Sequence, residues 1–309
     1  MRTPESFSPA ERFGAIRSVT PVSVGLSGAG VYAVATETGD FFLRRSAGVD
    51  ESFARMLAAQ NAAAGEGIAP PIIFADETLG VTIAEKANGV SIGAALARPD
   101  VRPLVLRTVA ETLARLHAIA APELPRTEPS LARSVWGPQA SRDGFPAWAK
   151  SFDAHLDAAE TALANDQRRV FSHNDVNPVN LIWDNAKVWL VDWEHASLAH
   201  PYSDLAIFSM FAILSDADAL ALLAIQEGAS IAPEQRETFL ALRNMVRMIY
   251  GAVFLRLIPD LKTVAFTNRD ATPPLAECYG RMAAGTLDVR TPAGQALLGT
   301  AILRQVEPK

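Results

Sequence analysis

The part of the sequence best equipped for chemistry is His173-Asn174-Asp175-Val176-Asn177-Pro178-Val179-Asn180, with Asp192 following in Val191-Asp192-Trp193-Glu194. H-x-D-x-x-x-x-N and then a second Asp is the set of groups that phosphoryl transfer needs. One carboxylate orients and deprotonates a hydroxyl, while an amide oxygen and another carboxylate hold the Mg²⁺ that carries nucleotide phosphates. On that pattern Asp175 is the base, and Asn180 and Asp192 are the metal ligands. A small, oxygen-only ligand pair suits Mg²⁺, which keeps several of its own waters.

The spacing requires an element that folds Asp192 back onto Asn180. Leu181-Ile182-Trp183 and Val188-Trp189-Leu190-Val191 are short β-branched and aromatic runs. They flank Asp184-Asn185-Ala186-Lys187, a polar tetrapeptide with turn chemistry. A hairpin about that turn sets Asn180 opposite Val191 and beside Asp192. Asp175 precedes it on a loop that Pro178 stiffens. A surface hairpin with ordinary turn Asp and Asn residues would give the bare motif too; the Asp placed just past the hairpin makes the pattern specific.

The surrounding chain divides by pattern. Val19 to Val24, Val31 to Thr36, Phe41 to Arg45, Ile72 to Ala75 and Val81 to Ala84 read as five strands, with an alanine-rich helix over Phe53 to Ala64 between the third and fourth. Glu85 to Val90 is a connector, and Ser91 is placed to cap the next helix. Leu106, Val109, Leu113 and Leu116 repeat at helical spacing. Ala121 to Pro146, rich in Pro, Arg and Ser, reads as a long loop. Further helices are expected at Trp148–Ala164, Leu205–Leu214, Ala217–Gln226, Pro233–Leu257 and Leu275–Gly285.

Bulk properties narrow the function class. At 309 residues the chain can bury one large core or two lobes. Its 28 Lys+Arg against 34 Asp+Glu give a net charge of −6 without a basic stripe, so nucleic acid is not an expected partner. Cys278 is the single cysteine, which excludes an intramolecular disulfide and a cysteine-based zinc site; a core position is expected for it. The first twenty residues carry no secretory pattern, and the apolar stretch around Leu205 to Leu214 is too short to span a bilayer. A cytoplasmic enzyme without a membrane partner is the expectation.

A strand-rich segment, a connector and a helical remainder carrying this motif resemble the protein-kinase-like fold, and within it the aminoglycoside phosphotransferase and choline kinase family. His-Asn-Asp with Asn-Pro-x-Asn, and Asp192-Trp193-Glu194, are similar to choline and ethanolamine kinase members. The resemblance implies an α+β fold of two lobes: a small five-stranded nucleotide lobe over residues 1–86, and a mainly helical lobe over 87–309 carrying the catalytic loop and acceptor site. It implies ATP and Mg²⁺ as cofactors. It makes His173 a residue that braces the catalytic loop rather than a proton carrier, places Glu194 near the metal, and gives Asp204 to securing the loop or capping the next helix.

For the nucleotide, the resemblance points to Gly25-Leu26-Ser27-Gly28-Ala29-Gly30 as a loop over the phosphates, with Ser27, Gly28 and Gly30 in contact. The stretch lacks the third glycine of G-x-G-x-x-G. Arg44 stands where kinases keep a phosphate-binding Lys; its planar fork can grip phosphate oxygens in pairs. Glu85 and Ala87 would offer backbone groups to adenine. One departure stands out. Kinases pair the strand cation with a Glu on the small-lobe helix, yet Phe53 to Gly65 contains no acid, only Gln60 and Asn61 as neutral substitutes.

The implied acceptor is a small-molecule alcohol, choline or a similar amino alcohol first. Trp136, Trp148, Trp193, Tyr202, Tyr250, Phe254 and Tyr279 could supply an aromatic cage, or simply fill the core. Asp216, Asp218, Glu227, Asp260 and Asp270 could meet an amine, or stand on the surface. His117 reads as a core or capping residue. The alternatives are an aminoglycoside, thiamine or sugar kinase of the same fold, or a nucleotide-binding pseudokinase acting as a regulatory module.

Overall fold

The computed structural model describes residues 13–22, 30–46, 50–128 and 130–306. Contacts divide the chain into two compact units. One comprises residues 1–125 and 170–198, the other 126–169 and 199–309.

The first unit is built on β1 (Ile16–Pro21), β2 (Gly30–Thr36), β3 (Asp40–Arg45), β4 (Ile72–Asp76) and β5 (Val81–Glu85). They form one sheet in the order β1-β2-β3-β5-β4, every pair antiparallel. The expected five strands with a helix between the third and fourth are all present. Strand alternation sorts their side chains onto two faces. Arg44 pairs with Val31 and Thr82, and Phe42 with Ala33 and Ala84, so these share one face. Leu43 pairs with Tyr32 and Ile83, and Phe41 with Val34, on the other. That second face lines an apolar cavity of about 830 Å³. Arg44 therefore points away from the cavity.

Helix α1 (Glu51–Gly65) starts where the Asp50 side chain accepts from Ser52 N at 2.8 Å, and it buries Phe53, Met56, Leu57, Ala59 and Ala63. Gly67, at φ +67°, turns the chain after it. Helices α2 (Ile92–Leu96) and α3 (Arg102–Ala118) follow; Ser91 caps α2 as expected, accepting from Ala94 N. Between sheet and helix, the two-residue β6 (Val90–Ser91) pairs with β8 (Leu181–Trp183), which forms a hairpin with β9 (Val188–Leu190). Gly89 must be glycine: at φ +141°, a Cβ there would lie 2.3 Å from the Trp183 carbonyl oxygen. β7 (Val170–Ser172) leads into the motif and pairs with β10 (Ser197–Ala199).

The second unit is helical: α4 (Leu131–Ala140), a 3₁₀ turn (Ala147–Phe152), α5 (Asp153–Asn165), α6 (Ser203–Phe211), α7 (Asp216–Glu227), α8 (Pro233–Arg256), α9 (Leu275–Ala283) and α10 (Pro292–Leu303). Helix α8 is its axis, packed on α4, α5, α6 and α10. It approaches α10 through Gly251 and Gly299; a Cβ at Gly251 would lie 2.5 Å from the Leu303 side chain. By length and hydropathy alone α8 could cross a membrane, but more than half of that stretch is buried in its own unit, as a core helix is. Cys278 is fully buried, the expected core residue.

Two expectations need correction. The stretch Ala121 to Pro146 is not a continuous loop, because α4 occupies Leu131–Ala140 with Pro138 inside it. A proline in the last turn forfeits only one helical hydrogen bond, and burying Trp136 completely offsets that cost. Helix α10 had no expected counterpart: it is apolar on all sides and buried along most of its length, so it lacks the one-faced periodicity that marks a surface helix.

Candidate active site

The hairpin does what its spacing requires. Val191 N donates to Asn180 O at 3.0 Å, next to the Leu181–Leu190 pair, so Asn180 and Asp192 flank the hairpin's open end. Its turn is held by Asp184, whose Oδ1 accepts from Ala186 N (2.9 Å) and Lys187 N (2.8 Å) and whose Oδ2 accepts from the Trp189 indole (2.9 Å). Burial works to raise the Asp184 pKa, and those bonds outweigh it, so its carboxyl stays below the usual range.

Asp175 is half-buried, and both of its carboxylate oxygens are oriented by amides. Asn177 Nδ2 donates to Oδ1 at 2.9 Å, and Asn180 Nδ2 donates to Oδ2 at 2.7 Å and to the Asp175 carbonyl at 3.1 Å. With its Nδ2 committed to Asp175, Asn180 keeps Oδ1 as its remaining acceptor. The loop's entry is fixed by Asn174, which adopts φ +60°, a region that Asn tolerates better than most residues. Its Nδ2 donates to Ser197 Oγ (2.8 Å) and His195 O (3.2 Å).

His173 is fully buried. Its Nδ1 accepts from Asp175 N at 3.3 Å, which leaves Nε2 to donate to Val191 O at 3.0 Å. The ring meets Trp193 edge-on, with centroids 4.6 Å apart. Trp193 is itself buried, its indole N–H donating to Leu190 O at 3.1 Å. With both ring nitrogens engaged in backbone bonds, His173 braces the loop.

Asp192 also has a left-handed backbone, φ +67°. Its side chain is 31% exposed, yet Oδ1 is sealed from solvent and, among the described residues, receives no hydrogen bond. The nearest cation is Arg44 Nη2 at 3.3 Å; the same nitrogen donates to Glu194 Oε2. Burial pushes the Asp192 carboxyl above its ordinary range, opposed by the Arg44 charge and reinforced by Glu194. A buried carboxylate oxygen that receives no hydrogen bond, on a residue at the same end of the hairpin as Asn180, fits a hard cation such as Mg²⁺. Among the described residues no three His, Cys, Asp or Glu side chains converge, so a metal here would rest on the Asn180 and Asp192 pair.

The structure thus brings together Asp175, His173, Asn180, Asp192 and Arg44, all within one compact unit. Ser27 and Gly28 lie outside the described residues; Gly30 begins β2, opposite Arg45. Glu85 ends β5, its N–H donating to Pro71 O at 3.0 Å, and Lys86 N donates to Asp40 O at 3.2 Å. Ala87 follows, buried. Asp204 is fully buried in the first turn of α6, whose N-cap is Tyr202, so it is not the capping residue.

The acceptor residues sort differently. Trp136, Trp193 and Tyr202 are buried completely and fill cores; Trp148, Tyr250, Phe254 and Tyr279 are half-buried. Asp216 pairs with Arg243, Asp218 accepts from Ser215 Oγ at 2.7 Å, Asp260 accepts from Lys262 N at 2.9 Å, and Glu227 lies 3.8 Å from Arg168. The sequence pattern puts Glu194 near the metal but does not show its contact with Arg44, which spans 150 positions that no local pattern encodes.

Comparison with known proteins bears on the family and the fold. Residues 18–239 match the model of a family described as the phosphotransferase enzyme family. No curated protein matches the chain. Among solved structures, a choline/ethanolamine kinase family protein from Mesorhizobium loti aligns at 19% identity over 92% of each chain, TM-score 0.66. A choline kinase from Streptococcus pneumoniae aligns at 14% identity over 90% of this chain and 95% of its own, TM-score 0.59. A macrolide 2′-phosphotransferase from Brachybacterium faecium aligns at 17% identity over 80% and 90%, TM-score 0.54. At such identities the likeness shows the fold, the α+β kinase-like arrangement these proteins share.

Proposed function

We propose that this chain, which belongs to the phosphotransferase enzyme family, moves the γ-phosphate of ATP to a hydroxyl of a small molecule, choline or a similar amino alcohol. The observation that carries the reading is the convergence of Asp175, Asn180, Asp192 and Arg44, with the Asp192 Oδ1 buried and unserved.

Asp175 acts as the base. It takes the acceptor's proton as the oxygen–phosphorus bond forms and the bond from the γ-phosphorus to the bridging oxygen breaks, releasing ADP. The two amides on its carboxylate fix which lone pairs face the hydroxyl, so orientation is set before the acceptor arrives. Asn180 Oδ1 and the Asp192 carboxylate would hold Mg²⁺, which supplies charge neutralisation on the nucleotide phosphates. Arg44 presents its remaining N–H groups to phosphate oxygens. Gly30, with Ser27 and Gly28, belongs to the phosphate loop, and the Glu85 carbonyl and Ala87 N–H meet adenine. In the β3–β5 register Arg44 stands opposite Thr82 and Phe41 opposite Glu85. Three strand residues, about 10 Å, therefore separate the two ends of the nucleotide's seat.

The amino-alcohol acceptor is supported by the resemblance of His173-Asn174-Asp175 and Asp192-Trp193-Glu194 to choline and ethanolamine kinase members, and by the nearly full-length likeness to proteins of that kind. The macrolide enzyme's likeness favours an antibiotic acceptor as the second reading. Measuring acceptor-dependent ADP release with choline, ethanolamine, thiamine, sugars, aminoglycosides and macrolides separates them. Release with choline or ethanolamine is the expected result. Release with antibiotics alone would move the acceptor, and a silent panel with tight ATP binding would favour a regulatory module.

A further inference from the structure

Kinases hold the phosphate-gripping strand cation with an acid on the small-lobe helix, and α1 has none to offer Arg44. Its one acid, Glu51, is exposed and lies 3.3 Å from Arg55. Gln60 donates to Pro70 O at 3.0 Å, and Glu66, beyond the helix, is exposed. We infer that Glu194 is the positioning residue for Arg44, doing from the segment after the hairpin what the helix acid does elsewhere. The inference rests on the proposal that Arg44 grips the nucleotide phosphates.

The geometry supports it from both sides of the contact. Arg44 is only 16% exposed, so its bond to Glu194 is less screened than a surface pair. Among the described residues only Nη2 is engaged, bonded to Glu194 and lying 3.3 Å from Asp192. A guanidinium has five N–H donors in a flat fork, so the other nitrogens remain for a phosphate while one edge stays anchored. A lysine has a single ammonium and could not separate those tasks in the same way, which gives the arginine a reason. Glu194 in turn is carried by a rigid neighbour, because Trp193 is locked between Leu190 O, Phe171 and His173. Its second oxygen lies 3.6 Å from His195 Nε2. One short segment thus holds the proposed metal ligand Asp192 and the anchor of the phosphate-gripping cation. Their relative placement is independent of any movement of α1.

Calorimetric titration of ADP in EDTA, where no divalent ion contributes, tests this on four full-length proteins: wild type, Glu194→Gln, Arg44→Ala and the double variant. Glu194→Gln is isosteric, and a thermal melt confirms that it is folded. The expected result is metal-free affinity weakened on the order of tenfold by Glu194→Gln, the scale of one charge-assisted hydrogen bond. The double variant should be no weaker than Arg44→Ala alone, because the glutamate acts only through the arginine. Unchanged metal-free affinity in Glu194→Gln, with a shifted Mg²⁺ requirement instead, would make Glu194 a metal ligand and overturn the inference. Additive losses in the double variant would overturn it as well. No ADP binding by wild type in EDTA would overturn this role, and none with Mg²⁺ added would overturn the nucleotide reading itself.

Discussion

Asp166 and Asp192 each stand beside an arginine, and their surroundings drive them in opposite directions. In the helical unit, Asp166 takes the Arg168 guanidinium on both oxygens, at 2.6 to 3.0 Å, and the Arg168 backbone N–H at 3.1 Å. His200 Nε2 lies 3.1 Å away. Those donors, Arg168 foremost, hold its carboxyl well below the usual range against the pull of burial. In the motif-bearing unit, burial dominates at Asp192 and pushes its carboxyl up, for Arg44 stands at 3.3 Å without bonding Oδ1. In the first cluster both carboxylate oxygens are met by donors and the charges are spent on the fold. The second is open, and its unsatisfied oxygen is what a cation site needs.

Arg243 marks the closed extreme, and its removal should cost most. It is 1% exposed and donates to Ser209 Oγ (3.0 Å), Leu214 O (2.7 Å) and Asp216. Arg243→Ala should lose about 3 kcal/mol of unfolding free energy by chemical denaturation, since breaking a buried pair strands its partners. A loss below about 1 kcal/mol would show that this cluster is not structural.

The matched pair of substitutions is sharper. Asp166→Asn should cost about 2 kcal/mol, the worth of charged hydrogen bonds. Asp192→Asn should leave neutral-pH stability equal to or above that of wild type, because it removes a desolvated charge, while phosphoryl transfer collapses. Equal destabilisation by both would erase the distinction between closed and open sites.

The smallest effect, taken per pH unit, is a pH slope. His200 is 2% exposed, and burial lowers its pKa to about 4, with Asp166 pulling in the other direction. An unfolded histidine titrates near 6.5, so between about 6.5 and 4 the unfolded state binds the extra proton. Stability is therefore full above that window and falls as pH drops through it, by up to about 1.4 kcal/mol per pH unit. His200→Asn keeps an acceptor for Tyr202 N, which lies 3.2 Å from His200 Nδ1, and should flatten that slope in melts from pH 7 to 4.5. An unchanged slope would take His200 out of the account.

What was legible in the sequence follows the range of each interaction. The hairpin from Leu181 to Leu190 is local, and its turn residue Asp184 and paired runs announce themselves, so Asn180 and Asp192 could be brought together by spacing alone. The five strands and Ser91 as a cap were legible for the same reason. Arg44 could be singled out by its strand position, but not its partner, because Glu194 lies 150 residues away in the chain. Helix α10 escaped because a segment buried on most sides has no period to read. The acceptor was least legible: Trp136 and Tyr202 can be read from sequence as cage or as core, their full burial makes them core, and burial on helices is a property of packing.

The central claim, that Asp175 is the base of a phosphoryl transfer, is tested most directly by an Asp175→Ala variant, comparing acceptor-dependent transfer of the ATP γ-phosphate with ATP binding on the same sample. Both carboxylate oxygens are held by amides of its own loop, so the loss should fall on chemistry rather than on the nucleotide seat. Transfer should drop on the order of 10²–10⁴-fold with ATP affinity largely unchanged. Wild-type turnover in that variant would contradict the account.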